Sequence, residues 1–272
     1  MEQQNLRTLT VGEILDRAFR IYRAKFFPLL GIVALMLIPE GILQFIATLY
    51  LGNAQNLSNI LNSIFQNLAM LALIVAISNA NLGREFTIGS AYSEGTARFW
   101  SLFGSNFVIG LAIAAPLFVV GACLATAGGF GFLIIIPFLP LVVFLFTRWS
   151  LNAPAIVLEK AGAVDSLYRS WNLTRDFFWR VLGTSFLASL LSLLLTLLPY
   201  LFVNFILLEM MGLSSQMVDL TSVVVQQIAL VIVLPFTVAV KVLIYYDLRI
   251  RKEGFDLMLR AEEASGESQS AA

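Results

Sequence analysis

The chain has 272 residues, 59% of them hydrophobic and 12% charged, with 17 basic and 17 acidic residues, no histidine and one cysteine. A soluble domain carries about 25% charged residues, so this composition, with a mean hydropathy of +0.86, excludes an ordinary soluble fold and points to repeated membrane crossing. Zero net charge removes the basic footprint of a nucleic-acid binder. The lack of histidine removes the commonest general base and transition-metal ligand, and Cys123 alone forms no intrachain disulfide.

The opening MEQQNLRTLT does not read as a signal peptide, since no short apolar core follows a basic start. Thr10 with Glu13 fits a capping box and predicts a helix start. Val11, Ile14, Leu15, Ala18 and Tyr22 form one face of that helix, and Arg17, Arg20, Arg23 and Lys25 the other. A first span is predicted over about Phe27 to Tyr50, then a polar turn, and a second span over about Leu57 to Asn79. Thr87-Ile88-Gly89 echoes Thr10-Val11-Gly12 and opens a second surface helix. Its apolar face carries Ile88, Ala91, Tyr92, Gly95 and Phe99. The third span is predicted over about Asn106 to Ala127 and the fourth over about Phe132 to Trp149, with Gly128, Gly129 and Gly131 turning between them.

The stretch Gly162 to Gly183 carries the clearest design. Val164, Leu167, Tyr168 and Trp171 fall at i, i+3, i+4 and i+7 and share a face. Phe177, Phe178 and Trp179 then form an aromatic threshold of the kind found at lipid headgroups. The fifth span follows from Phe178, with a break expected at Pro199, and the sixth covers about Val218 to Tyr246. The reading is an all-α polytopic membrane protein with six transmembrane helices in three hairpin units, each preceded by a cytoplasmic interfacial amphipathic helix. One membrane domain is expected over residues 1–256, with units of about 10–82, 83–158 and 159–256, followed by a polar, disordered tail over 257–272.

An internal repeat supports three units. Moving the first surface helix by 152 residues carries Leu15, Arg17, Arg23, Phe26, Leu30 and Gly31 onto Leu167, Arg169, Arg175, Phe178, Leu182 and Gly183. The charges are one-sided in this arrangement. Five Lys and Arg precede the first span, two lie between the second and third, five sit at the edges of or between the fourth and fifth, and five belong to the end of the sixth and beyond. The three opposite turns have none, so the positive-inside rule places both termini and all surface helices in the cytoplasm.

No phosphate loop, zinc spacing or nucleophile elbow is present, so no catalytic, cofactor-binding or metal-binding residue is assigned and no enzyme activity is expected. Glu40, beside Pro39 near the middle of the first span, is the one ionisable anomaly; such a group is a functional-site hypothesis by default, and the alternative is a protonated or hydrogen-bonded carboxyl that locks helix packing. Counting about 1.5 Å per residue, Gln66, Asn67, Gln226 and Gln227 come to similar depth, and Gln44 lies one turn from Glu40 on the same face, so these amides could surround it as a buried polar cluster. Arg148 lies shallower and is expected to snorkel to the surface. Arg17, Arg20, Arg23, Arg169, Trp171 and Arg175 are the candidate contacts to anionic inner-leaflet headgroups.

The segments LTVGEILDRAFRIYRAKFFPLLGI, NAPAIVLEKAGAVDSLYRSWNLTRDFFWRVLG and YYDLRIRKEGFDL resemble a family of bacterial membrane proteins named for the membrane domain of glycerophosphoryl diester phosphodiesterases. The resemblance implies a stand-alone member in the bacterial cytoplasmic membrane. In some relatives the domain is fused to a soluble phosphodiesterase, whose chemistry needs histidines that this chain lacks, so that activity does not carry over. The resemblance supplies no functional residues to transfer. The expected function is a non-enzymatic membrane protein that organises lipid or supports a membrane or cytoplasmic protein partner, with no nucleic acid involved. The alternative is a small-solute or lipid transporter or channel with its polar site around Glu40.

Overall fold

The computed structural model describes residues 8–51, 55–127, 135–206, 211–212 and 214–254. Among the described residues the chain is helical and contains no strand. Six helical stretches are long and apolar enough to cross a membrane: Phe26–Tyr50, Ile60–Asn81, Phe99–Phe118, Phe138–Leu158 (interrupted by a turn at Ser150 and Leu151), Phe178–Asn204 and Gln216–Glu253. Each offers the roughly 20 residues that hydrocarbon thickness demands. The expected tail over 257–272, and the turns at 52–54 and 128–131, lie outside the described residues.

The helices are α1 (Val11–Ala24), α2 (Phe26–Leu51), α3 (Gln55–Asn81), α4 (Ile88–Thr96), α5 (Phe99–Ala127), α6 (Ile135–Trp149), α7 (Asn152–Leu158), α8 (Ala163–Thr174), α9 (Phe178–Asn204) and α10 (Ser215–Glu253). Two sequence expectations need correction. α9 runs through Pro199 without ending there. A proline removes one i→i−4 bond, and transmembrane helices absorb that loss. The last helix is also longer than the apolar run, continuing 39 residues to Glu253.

The chain divides into two compact units, one of Met1–Thr10, Trp100–Leu182 and Ile244–Ala272, the other of Val11–Phe99 and Gly183–Leu243. In the second of these, α2 buries Leu29, Ile32, Val33 and Leu37, spaced so that they share a face, against α3. The stretch Leu71 to Ser78 of α3 is buried on every side, which makes it the centre of the unit. α4 caps its own N-terminus through Thr87 and Ser90 and lies directly on α3. Gly95 makes that approach possible, because a Cβ there would stand 2.8 Å from Ala72 N and 2.9 Å from Leu71 O. Tyr92 then reaches across to donate its hydroxyl proton to Ile32 O at 2.6 Å.

In the other unit, α8 packs on α6 and α7. Its buried face is Ser166, Leu167, Ser170, Leu173 and Thr174, while Val164 and Tyr168 are exposed. The apolar stripe expected from the sequence is therefore turned partly outward. Small hydroxyls are what allow the close contact. Ser170 donates to Arg148 O at 2.6 Å and accepts from Leu151 N at 3.2 Å. Asn152 Nδ2 donates to Ser105 Oγ at 2.9 Å. By contrast, α9 leaves Leu193, Leu194, Leu195, Leu197, Leu198 and Leu201 exposed. An apolar wall of that extent is incompatible with water and natural in lipid.

Candidate functional site

Glu40 sits 14 residues into α2, roughly 20 Å along the helix at about 1.5 Å per residue, and is 1% exposed. Gln227 of α10 holds it. The amide Nε2 donates to Glu40 Oε2 and, at 3.1 Å, to Gln44 Oε1 one turn further along α2. Gly41 admits the amide, since a Cβ there would stand 3.0 Å from Gln227 Cγ. Glu40 Oε1 and Gln227 Oε1 are both buried without a hydrogen-bond partner among the described residues. A protonated carboxyl resolves that pattern chemically, because its O–H can donate to a neighbouring acceptor.

Gln66 donates to Asn62 Oδ1 within its own helix, and Gln226 is exposed. Consecutive residues on a helix point about 100° apart, so only one of Gln226 and Gln227 can face α2. Asn67 lies half-buried on α3. Beside the Glu40–Gln227 contact runs a cleft of about 520 Å³ lined by Leu37, Ile38, Gly41, Ile42 and Phe45 of α2 and by Val223, Val224, Gln227, Ile228, Val231 and Ile232 of α10. Gln227 supplies its polar part; the remaining lining is apolar.

The expected headgroup contacts separate into two kinds. On α1, Arg20 is exposed and pairs with Asp16 at 3.3 Å, Arg23 is exposed over the Phe19 ring, and Arg17 is half-buried. On α8, Arg169 is withdrawn from the surface. Its Nε and Nη2 donate to the two oxygens of Glu159 at 2.7 Å each, and Nη2 donates to Glu253 at 2.8 Å. Arg249 joins the same carboxylates at 3.2 and 3.3 Å. The hydrogen bond to Glu253, with burial opposing and Glu159 adding, raises the Arg169 pKa above its already high ordinary value. The phosphate contact expected of Arg169 is thus taken by two carboxylates. Arg175 is exposed.

Trp171 also turns inward, edge-on to Phe144 with centroids 5.6 Å apart and tilted against Trp149 at 6.3 Å. Arg148 lies among aromatic rings. Its guanidinium carbon lies 5.0 Å from the Phe144 ring centroid, 5.2 Å from Trp171 and 5.4 Å from Phe178. The aromatic faces attract the cation and replace the water it would otherwise seek.

One carboxylate that the sequence reading missed organises this end of the unit. Asp247 is 1% exposed and accepts from Arg180 Nε and Arg251 Nε at 3.0 Å each and from Leu9 N at 2.7 Å. Leu9 O accepts in turn from Arg251 Nη2 at 2.9 Å and from Arg180 Nη2. The signal in the sequence was an acid inside the last apolar helix with an arginine four residues on.

No curated protein and no solved structure matches the chain. Residues 104–263 match the family described as the membrane domain of glycerophosphoryl diester phosphodiesterase. That stretch takes in α6 to α10 with the Arg148, Arg169 and Asp247 clusters and Gln227. With more than half of its length matched and six membrane-length helices, the chain is a multi-pass membrane protein that belongs to this family.

Proposed function

We propose that this is a non-enzymatic protein of the bacterial inner membrane that organises lipid or supports a protein partner there. Both termini lie in the cytoplasm, and the chain forms three hairpin units, each led by an amphipathic helix at the inner interface. The one-sided distribution of its 17 Lys and Arg supports that orientation. The choice of an organising role over a carrier rests on one observation: the surroundings of Glu40. The carboxyl is closed in by Gln227, and the cleft beside it is lined by apolar side chains. A solute path needs polar groups along its walls. The transporter reading keeps one point in its favour, the two acceptor oxygens without partners.

The test places a cysteine at Glu40 in a Cys123→Ala background. Exclusion of a small, water-soluble thiol reagent, with labelling by a lipid-soluble maleimide, is the expected result. Rapid labelling by the water-soluble reagent would favour the carrier.

A further inference from the structure

The cleft between α2 and α10 opens on the outside of the helices. Ile38 and Ile42 of α2 and Ile228 of α10 line it, and each is more than half exposed. Gln227 spends its amide nitrogen on Glu40 and Gln44, and its Oε1 is buried. The surface offered to an occupant is therefore hydrocarbon. On α10 the lining runs from Val223 to Ile232, roughly 13 Å at about 1.5 Å per residue. In a bilayer such a trough is filled, because an empty one forfeits the dispersion contacts of its walls.

One end of the cleft is tied to α1. Gln227 meets Glu40 and Gln216 meets Leu49 O, so α2 and α10 run antiparallel. Leu37 and Ile232 thus share one end of the cleft, and there Tyr22 of α1 donates its hydroxyl to Ile232 O at 3.1 Å. Tyr22 stacks on Phe19 with centroids 6.5 Å apart, and the Arg23 guanidinium carbon lies 5.8 Å from the Phe19 centroid. Arg23 is exposed and has no carboxylate partner among the described residues. An exposed cation at one end of an apolar trough matches the layout of an anionic amphiphile. In the proposed orientation this end faces the inner leaflet, whose surface is anionic.

We infer that the cleft seats one acyl chain of an anionic phospholipid, whose phosphate lies at Arg23. This rests on the lipid-organising reading. The Phe19 ring holds one face of the guanidinium and leaves its edges for phosphate oxygens. A second copy of the chain fits less well. Two-fold symmetry would bring its own Arg23 to the same depth on the facing surface, setting like charges across the contact.

The experiment uses the full chain in mild detergent, loaded with phosphatidylglycerol or phosphatidylcholine that carries a diazirine at the end of one acyl chain. Native mass spectrometry reads retention, and peptide mapping after irradiation reads position. In the wild type the crosslink should fall on Ile42, Phe45, Val223 or Val224, toward the end away from Arg23. Arg23→Gln should weaken retention of phosphatidylglycerol about fivefold, the effect of one basic residue at an anionic surface, and leave phosphatidylcholine unchanged. Ile228→Trp, at a position facing outward, should weaken retention of both lipids by about tenfold, because the indole takes the space of the chain. If Ile228→Trp does not fold, the crosslink map and Arg23→Gln decide. Crosslinks spread over α9, or wild-type retention in either folded variant, overturn the site and leave the lipid-organising reading standing. A wild type that retains neither lipid overturns both. An unlabelled cleft in a dimer that Ile228→Trp breaks would assign the cleft to a second copy and overturn the lipid.

Discussion

Gln227 Nε2 donates to Glu40 Oε2 across two helices separated by 187 residues in sequence, and the same amide reaches Gln44 Oε1 at 3.1 Å. One amide thus serves two acceptors, and its own oxygen is left over. Glu40→Gln keeps an acceptor for Gln227 and adds a donor, so the fold should melt within error of wild type. Glu40→Leu and Gln227→Leu should each cost about 1–2 kcal/mol, the scale of interhelical hydrogen bonds in membranes. Thermal denaturation in one detergent checks all three, and a wild-type Gln227→Leu would remove this contact from the account of stability.

Gly95 offers a sharper packing test. A methyl group there meets the α3 backbone at Leu71 and Ala72, atoms that cannot swing aside as a side-chain tip could. Gly95→Ala should cost about 1–3 kcal/mol, the usual price of overpacking. Gly89 has nothing within 4 Å of its added Cβ, and Gly89→Ala should be neutral or slightly stabilising through helix propensity. Equal melting of the two variants would mean that α4 does not dock on α3 so closely.

Tyr92 links the same helix to pH. Burial pushes its hydroxyl pKa from an ordinary 10.0 up to about 12. The folded state therefore holds a proton that the unfolded state releases between these values. Stability should fall as pH rises from about 10 to about 12, because the unfolded chain binds fewer protons there. Tyr92→Phe removes that slope, and it costs about 1 kcal/mol at neutral pH through the lost bond to Ile32 O. Melting curves of the two proteins across this range should converge as pH increases. Parallel curves would show that Tyr92 titrates like a solvated phenol.

The proposed orientation is open to direct labelling. In a Cys123→Ala background, a cysteine at Ser214 should react with an impermeant thiol reagent applied to intact cells. Cysteines at Glu85 and Ala161 should react only after the membrane is opened. Labelling of Ala161→Cys from outside would reverse or break the topology.

The spans were legible in the sequence because hydrocarbon selects by local hydropathy. A run of about 20 apolar residues meets the requirement wherever it lies in the chain. All six expected spans overlap helical stretches of membrane length, although the third begins earlier, at Phe99, and the fourth ends later, at Leu158. Pro199 misled for the same local reason in reverse. A proline weakens one bond of a helix, and hydrocarbon penalises opening the rest.

Side-chain partnership was not legible. Depth counting brought Glu40 and Gln227 to one level, with Gln44 one turn away, but it could not say that Gln226 turns away. That depends on the rotation of α10 against α2. Likewise, an amphipathic pattern presented Arg169 and Trp171 to lipid, whereas Glu159, Glu253 and the rings of Phe144 and Trp149 claim them. By itself the sequence determined the membrane class, the number of spans and their order, since these follow from the transfer free energy of contiguous segments. Only the tertiary structure decided which charges are paired, which amide reaches Glu40 and where Arg148 rests. Those outcomes depend on contacts such as Arg169 with Glu253, 84 residues apart, whose geometry no local pattern encodes.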